Sequence, residues 1–418
     1  MQITQLEIKN FRGIKHLVFD FPLHQPAIFI GVNGVGKSSI LDAIAILLSP
    51  FFGILINQNN YGAIFNEQDI NNSSLESELN ITVLNEQNQL INWSLSQAKM
   101  EFKKPNSAQI QNLTNWILNL QEKLQENPQS NLPLAVYYLT NRAVLDIPLR
   151  IRKKHLFREH QFEAYNNALI GNNTDFRIFF EWFREKEDLE NEMRLDNNPD
   201  YRNPQLQAVR QAISSLIPDF SNLRVKRYPL RMTVQKKGAE LIINQLSDGE
   251  KCLLAMVGDL ARRLAIANPN LKLPLSGNAI VLIDEIDLHL HPKWQREIIP
   301  NLIKTFPNCQ FIVTTHSPQV VSHVKEVYLC NKIDNEISLN ILPTYGKDSN
   351  QILEVLMETG ERPPEVQAKI LQIFRLIEQG ELIKVKELLR ELTQIMETED
   401  PILLKADVLI KRKEILNR

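Results

Sequence analysis

The stretch Gly31-Val32-Asn33-Gly34-Val35-Gly36-Lys37-Ser38 constrains the fold more than any other in the chain. It stands between a short apolar run, Ala27-Ile28-Phe29-Ile30, and a segment in which Ile40, Leu41, Ile44, Leu47 and Leu48 recur at helical spacing. The apolar run predicts a buried parallel strand, and the period behind it predicts a helix. A glycine-rich turn between the two lets backbone N–H groups curl around an anion, because no Cβ forbids the positive φ angles involved. The positive end of the following helix faces the same point. The spacing G-x-x-x-x-G-K-S adds a lysine for β- and γ-phosphates and a serine hydroxyl for Mg²⁺. Asn33, Gly34, Val35, Gly36, Lys37, Ser38 and Ser39 are therefore candidate nucleotide contacts, and Ser38 is a candidate metal ligand.

The 418 residues leave room for roughly two or three structural units around a substantial core. Hydrophobic and charged fractions of 43% and 23% exclude wholesale disorder. A formal net charge of −2 supplies no global attraction to nucleic acid or membrane, so any such contact needs a local patch. Cys252, Cys309 and Cys330 form no C-x-x-C pair, which points to a reduced compartment. The longest apolar run, 43–56, is interrupted by Ser49, Pro50 and Gly53 and reads as too short and too broken to cross a bilayer. Met1-Gln2-Ile3-Thr4-Gln5-Leu6-Glu7 lacks the basic and apolar regions of a signal peptide. A cytoplasmic protein without a membrane partner is the expectation.

Alternation and period divide the rest. Strands are expected over 2–9, 17–21 and 27–30, with Asn10-Phe11-Arg12-Gly13 and Pro22 as turns. Residues 79–84 and 90–95 predict an antiparallel pair joined through 85–89. A helix is expected over 107–124, with Ile110, Leu113, Ile117, Leu120 and Leu124 on one face, and a buried strand over 134–139. From about 146 to 216 the pattern turns aromatic, charged and helical. Phe176, Phe179, Phe180 and Phe183 form its stripe, read as the core of an arm or of a dimer. Strand character returns over 223–234 and 240–243. A helix at 247–267, a strand at 279–284, a helix at 292–305 and a strand at 310–314 then alternate as in an α/β sheet. Beyond 345 the pattern is helical, over 350–357, 364–379, 382–397 and 401–416.

Three further motifs carry chemistry. Ala279-Ile280-Val281-Leu282-Ile283-Asp284-Glu285 delivers two carboxylates to the carboxyl end of an apolar strand, the edge where ligands bind in open α/β sheets. Asp284 is placed for the Mg²⁺ shell, and Glu285 for the water that attacks a γ-phosphate. Leu246-Ser247-Asp248-Gly249-Glu250-Lys251 opens a helix, with Ser247 and Glu250 at capping-box spacing. A serine hydroxyl, a glycine N–H and a helix N-terminus also make an anion site. Thr314-Thr315-His316-Ser317-Pro318 puts a histidine on a strand-to-helix turn, where a purely structural role is the alternative.

In this order the motifs resemble those of the ATP-binding-cassette ATPases, in the RecF/SMC-like branch rather than the transporter branch. Walker A is 31–38, the signature 246–251 (Leu-Ser-Asp-Gly-Glu in place of Leu-Ser-Gly-Gly-Gln), Walker B 280–285 and the switch histidine His316. Ile8-Lys9-Asn10-Phe11-Arg12-Gly13-Ile14 looks like the first strand of that branch and brings Arg12 among the expected nucleotide contacts. The resemblance implies an α/β fold: an ABC-type P-loop ATPase head, a mixed sheet with helices on both sides, carrying an inserted helical arm and a C-terminal helical region. Its parts are expected at 1–145 (lobe with Walker A), 146–220 (helical insertion), 221–345 (lobe with signature, Walker B and switch histidine) and 346–418 (helical region). It implies ATP and Mg²⁺ as ligands, Ser38 and Asp284 on the metal, Glu285 as the catalytic carboxylate, His316 as the γ-phosphate sensor, and Leu290-His291 at the D-loop. No clear Q-loop glutamine is present; Asn141-Arg142 is the first positional match and Gln68-Asp69 the second. In relatives the signature of one subunit closes over phosphates held by another. Ser247, Gly249 and Glu250 are thus expected to serve a second chain's nucleotide, which implies a homodimer or higher even-numbered oligomer.

Closer still, the chain resembles the PtuA-type ATPases of Septu and some retron anti-phage systems. The likeness is carried by 137–142 (Tyr-Tyr-Leu-Thr-Asn-Arg), 284–292 (Asp-Glu-Ile-Asp-Leu-His-Leu-His-Pro) and the tail from Tyr345 to Asn350. It implies a switch that controls a separate nuclease of the HNH type. The alternative is a RecF/SMC-like DNA-repair clamp. There, basic clusters at Arg150, Arg152, Lys153, Lys154, His155 and Arg158, and at Arg224, Lys226, Arg227 and Arg231, would hold duplex DNA. A transporter motor is disfavoured by the insert. Asn331-Lys332-Ile333-Asp334 matches the guanine-reading N-K-x-D, but 284–287 is not the D-x-x-G that GTPases need. Asp287, His289 and His291 are metal ligands by type, though a D-loop fits them better. About a hundred residues follow His316, helical in pattern and without D-x-D, so no nuclease site is expected in this chain.

Overall fold

The computed structural model describes residues 1–23, 25–56, 63–100, 107–140, 160–170, 176–196, 198–333, 336–347, 351–352, 363–396 and 400–416. The chain divides into two compact units, Met1–Ser349 and Asn350–Arg418.

The first unit opens with a hairpin of β1 (Gln2–Phe11) and β2 (Ile14–Asp20), whose turn holds Asn10 and Arg12 at positive φ. The apolar run becomes β3 (Ala27–Ile30), buried at every residue, and α1 (Lys37–Ile56) follows the glycine loop. The break expected over 43–56 does not occur. Pro50 lies inside α1, and the Ser49 hydroxyl donates to Ala45 O at 2.8 Å, so a polar group inside the helix is satisfied. By length and composition alone α1 could cross a membrane, which corrects the sequence reading; 67% of its most apolar window is buried inside the fold. It packs against α2 (Gln111–Glu126), β1 and β4 (Glu76–Leu84), and a helix apolar all round is what such a central position requires.

β4, β5 (Leu90–Ala98) and β6 (Ser107–Gln109) extend the first hairpin into an antiparallel sheet of order β2-β1-β4-β5-β6. Leu84 pairs with Leu90 across the expected turn. The helix expected from 107 starts later, because β6 takes 107–109 before α2 begins. β7 (Leu134–Tyr138) is the expected buried strand. Of the region read as a helical insertion, α3 (Phe176–Asp196) and α4 (Pro204–Leu216) are the described helices longer than two turns. Phe176, Phe179, Phe180 and Phe183 are buried within the first unit. A three-stranded sheet follows: β8 (Phe220–Arg227), β9 (Leu230–Lys236) and β10 (Ala239–Ile242), and the strand character expected over 223–234 is that of the β8–β9 hairpin.

The α/β alternation then appears as α5 (Asp248–Ala267), β11 (Ala279–Ile283), α6 (Pro292–Thr305), β12 (Cys309–Thr315) and the short α7 (Pro318–Val321). The hairpin β13 (Glu326–Ile333) and β14 (Glu336–Pro343) was not legible in the sequence pattern. These strands complete a six-stranded sheet of order β14-β13-β3-β12-β11-β7, parallel from β13 to β7 with β14 antiparallel at the edge. The fold is therefore the α/β, mixed-sheet class of a P-loop ATPase. Its parallel strands bring the ends of β3, β11 and β12 to one edge, where the glycine loop, Asp284 and His316 follow them.

The second unit is built from helices at Pro364–Gln379, Leu382–Met396 and Pro401–Leu416, close to their expected bounds. Ile370, Ile373, Ile377, Val385, Leu392, Leu403, Ala406 and Ile410 form its core. Gly380, at φ 83°, ends the first of these helices in the left-handed conformation that favours glycine.

Candidate nucleotide-binding site

The glycine loop is packed from behind by the last hairpin. A Cβ on Gly31 would stand 2.4 Å from Cys330 O of β13, and one on Gly36, at φ 108°, would stand 2.5 Å from Ile337 Cδ1 of β14. Only glycine fits either position. Lys37 is buried, and its Nζ donates to Gly31 O at 2.9 Å and Val32 O at 3.0 Å, so the lysine closes the loop on itself. Burial lowers its pKa, against the opposing pull of Cys330 and of the carboxylates of Asp284, Glu285 and Asp287. Those carboxylates face the loop across the sheet edge.

Asp284 follows β11 and is buried. Its Oδ1 accepts from Ser38 Oγ at 3.1 Å and from Thr314 Oγ1 at 2.5 Å, while its N–H donates to Tyr138 O at 2.9 Å. Two oxygen ligands on neighbouring corners of an octahedral Mg²⁺ shell are about 3 Å apart. The spacing of Ser38 Oγ and Asp284 Oδ1 thus fits two residues that would hold such an ion. Glu285 has φ 47°, a left-handed conformation that costs a non-glycine residue free energy, and its N–H donates to Thr314 Oγ1 at 2.8 Å. Thr314, which sequence reasoning did not single out, therefore holds the Asp284 carboxylate and the backbone of Glu285.

His316 N–H donates to Asp287 Oδ1 at 3.2 Å, and Thr315 Oγ1 donates to the same oxygen at 2.6 Å. Burial lowers the His316 pKa, and the Lys37 charge lowers it further, against Asp287, Glu285 and Asp284. The imidazole is thereby kept neutral near pH 7. Among the described residues no group of three or more His, Cys, Asp or Glu is disposed to hold a metal, so Asp287, His289 and His291 do not form a cation site. His291 instead caps α6, its Nδ1 accepting from Lys293 N–H at 3.3 Å.

Ser247 is the N-cap of α5. Its Oγ accepts from Glu250 N–H at 3.4 Å, and Glu250 Oε2 accepts from Ser247 N–H at 3.0 Å, which completes the expected capping box. Burial would raise the Glu250 pKa, but Lys236, 2.5 Å from Oε1, and the Ser247 hydrogen bonds lower it overall. A Cβ on Gly249 would meet His289 O at 2.2 Å, so this glycine allows the loop after Asp284 to lie directly on α5. Among the described residues no hydrogen bond or ion pair joins Ser247, Gly249 or Glu250 to 31–39.

Arg12 lies in the β1–β2 turn. Its Nε donates to Asp69 Oδ1 at 2.9 Å and its Nη1 donates to Asp42 of α1. Partial burial opposes its charge, but the two carboxylates prevail and raise the pKa. Asp69 belongs to the second Q-loop candidate, Gln68-Asp69. The first, Asn141-Arg142, lies outside the described residues, as do Arg150, Arg152, Lys153, Lys154, His155 and Arg158. In the other basic cluster Lys226 pairs with Glu240 at 2.6 Å and Arg227 with Glu187 at 2.9 Å, which neutralises much of its field. Asp42 and Tyr137 were also missed; Asp42 is legible only as an acid one helical turn past Ser38.

Residues 27–322 match the family described as "AAA domain, putative AbiEii toxin, Type IV TA system". The chain is 32% identical over 446 residues to the Retron Ec83 probable ATPase of Escherichia coli, covering 90% of this chain and 80% of that protein. It is 30% identical over 436 residues to the Retron Vc95 probable ATPase of Vibrio cholerae, covering 91% and 84%. Against the Septu protein PtuA of Bacillus mycoides it is 26% identical over 359 residues, covering 81% of this chain and 43% of that protein.

Proposed function

The chain belongs to the AAA-domain ATPase family that its residues 27–322 match, and from that premise we propose that it binds and hydrolyses ATP within an anti-phage defence system of the retron or Septu kind. In this reading it is a homodimeric switch whose nucleotide state controls a separate nuclease of the HNH type. The observation that carries the nucleotide chemistry is the bond from Ser38 Oγ to Asp284 Oδ1, which joins the glycine loop to the carboxylate strand at Mg²⁺ spacing. The names of the retron ATPases and of PtuA support the defence setting.

The residues divide the work as follows. Lys37 leaves the carbonyls of Gly31 and Val32 and donates to phosphate oxygens, while the N–H groups of 33–39 cradle the remaining phosphate charge. Ser38 and Asp284 would hold Mg²⁺, which neutralises charge on the β- and γ-phosphates when bound. Glu285 takes the proton of the water whose oxygen bonds to the γ-phosphorus, as the bond from that phosphorus to the bridging oxygen breaks and ADP leaves. Neutral His316 donates a hydrogen bond to a γ-phosphate oxygen. Ser247, Gly249 and Glu250 close over the nucleotide of the other subunit. The loop 284–291 carries Asp284 and Glu285 and lies on Gly249 through His289 O, a route from phosphate state to subunit closure.

Equilibrium binding of a fluorescent ATP analogue tests the core of this reading. Lys37→Ala should lose binding, whereas retained affinity would exclude the glycine loop as the site. The DNA-clamp alternative gains no support from Arg224, Lys226 and Arg227, since Glu240, Glu187 and Asp188 already pair with them.

A further inference from the structure

We propose that Asp42 and Asp69 are positioning residues that aim the Arg12 guanidinium at the phosphates of the bound nucleotide, and that Tyr137 holds Asp42 for that purpose. The inference rests on the nucleotide reading of 31–38 given above.

Arg12 is fixed at both ends. Its backbone N–H donates to Asp69 O at 2.7 Å, Asn71 Nδ2 donates to Arg12 O at 2.6 Å, and its φ is 49°. Its side chain spans two carboxylates, through Nε to Asp69 Oδ1 and through Nη1 to Asp42 Oδ2. Each carboxylate is held in turn by its other oxygen. Asp42 Oδ1 accepts from Tyr137 OH at 2.8 Å, and Asp69 Oδ2 accepts from Asn66 N–H at 3.0 Å. A guanidinium carries its N–H donors in a planar fork, so fixing Nε and one Nη1 hydrogen sets the direction of the Nη2 pair.

The elements that carry the cluster adjoin the glycine loop and the strand of Asp284. Asp42 stands one turn past Ser38 on α1, and Ile14, two residues beyond Arg12, lies 3.7 Å from where a Gly36 Cβ would be. Tyr137 pairs in register with Leu282, two residues before Asp284. An arginine side chain, 38% exposed, would otherwise lose rotamer freedom only on meeting its ligand. Holding it beforehand transfers that cost from binding to folding. The two aspartates touch no nucleotide and act through Arg12.

The test is the ATP dissociation constant of the full chain, by fluorescent-nucleotide titration, with a melting curve for each variant. Arg12→Ala should weaken binding about tenfold, as expected for one charge-assisted hydrogen bond. Asp42→Asn should weaken it several-fold, and Arg12→Ala combined with Asp42→Asn should be no weaker than Arg12→Ala alone. Unchanged or tighter binding in Asp42→Asn, or an effect that persists in the Arg12→Ala background, would overturn the proposal. If Asp42→Asn does not fold, Tyr137→Phe keeps the ring and removes one hydroxyl. Its dissociation constant should rise about two- to threefold with Arg12 present and not at all without it; any other pattern overturns the proposal. Wild type and Lys37→Ala separate the two readings. Binding by the first and not by the second leaves the nucleotide reading standing whatever Arg12 does.

Discussion

Glu285 holds a left-handed backbone conformation, and the hydroxyl of Thr314 that accepts its N–H also donates to Asp284. One threonine hydroxyl thus binds the Asp284 carboxylate, which also accepts from the Ser38 hydroxyl, and the Glu285 backbone. Glu285→Gln preserves shape and removes the proposed base, so hydrolysis should fall about 10²- to 10⁴-fold while nucleotide binding persists. Unchanged phosphate release would assign the base elsewhere. His316 has a defined pH consequence. Its folded-state pKa lies below the 6.5 of a free imidazole, so the neutral ring contributes stability that is present above pH 6.5 and lost as pH falls. The melting temperature of wild type minus that of His316→Gln should therefore fall as pH is taken from 8 to 5. A difference that rises on acidification would reverse the sign.

α5 joins the 246–251 turn to the rest of the first unit. Its N-terminus carries the Ser247–Glu250 box, and its middle carries Gly258, where a Cβ would stand 2.8 Å from the Phe179 ring of α3. Gly249→Ala forces a carbon against His289 O, so either the loop after Asp284 or the start of α5 must shift. Hydrolysis should drop while binding to Lys37 and the glycine loop is retained, because in the proposed dimer Ser247, Gly249 and Glu250 serve the nucleotide of the other chain. Loss of both together would place the signature in the same site. Phe179→Ala removes a fully buried ring at the α3–α5 contact and should cost about 3–5 kcal/mol, read as a lowered denaturant midpoint. A neutral result would make α3 peripheral to the fold.

At the scale of the whole molecule, one chain carries a single glycine loop and a single signature, and among the described residues nothing bonds them together. Two chains supply two complete sites if each signature serves its partner. Mixing equal amounts of Lys37→Ala and Ser247→Arg chains should leave one working site in each mixed dimer, so about a quarter of wild-type hydrolysis for random pairing. Each variant alone should be inactive. Substantial activity in either one, or wild-type activity in the mixture, would contradict shared sites. Ser247→Arg also removes a helix cap worth about 1 kcal/mol, so its melting curve belongs with the assay.

The sequence by itself determined the local grammar: the glycine loop, the apolar strand ending in Asp284 and Glu285, the capping box of α5 and the turn bearing His316. Each depends on neighbours a few residues apart, through backbone freedom, period or capping. It did not disclose that Thr314 serves both Asp284 and Glu285, that Ile337 packs on the loop, or that Arg12 is held by Asp42 and Asp69. Those contacts join residues 29 to 301 positions apart. No local pattern encodes them, and only the tertiary packing of strands, helices and turns brings them together. The apolar stretch 43–56 is a sharper instance. Its composition is that of a broken run, and only packing against α2, β1 and β4 makes it the unbroken central helix behind the loop.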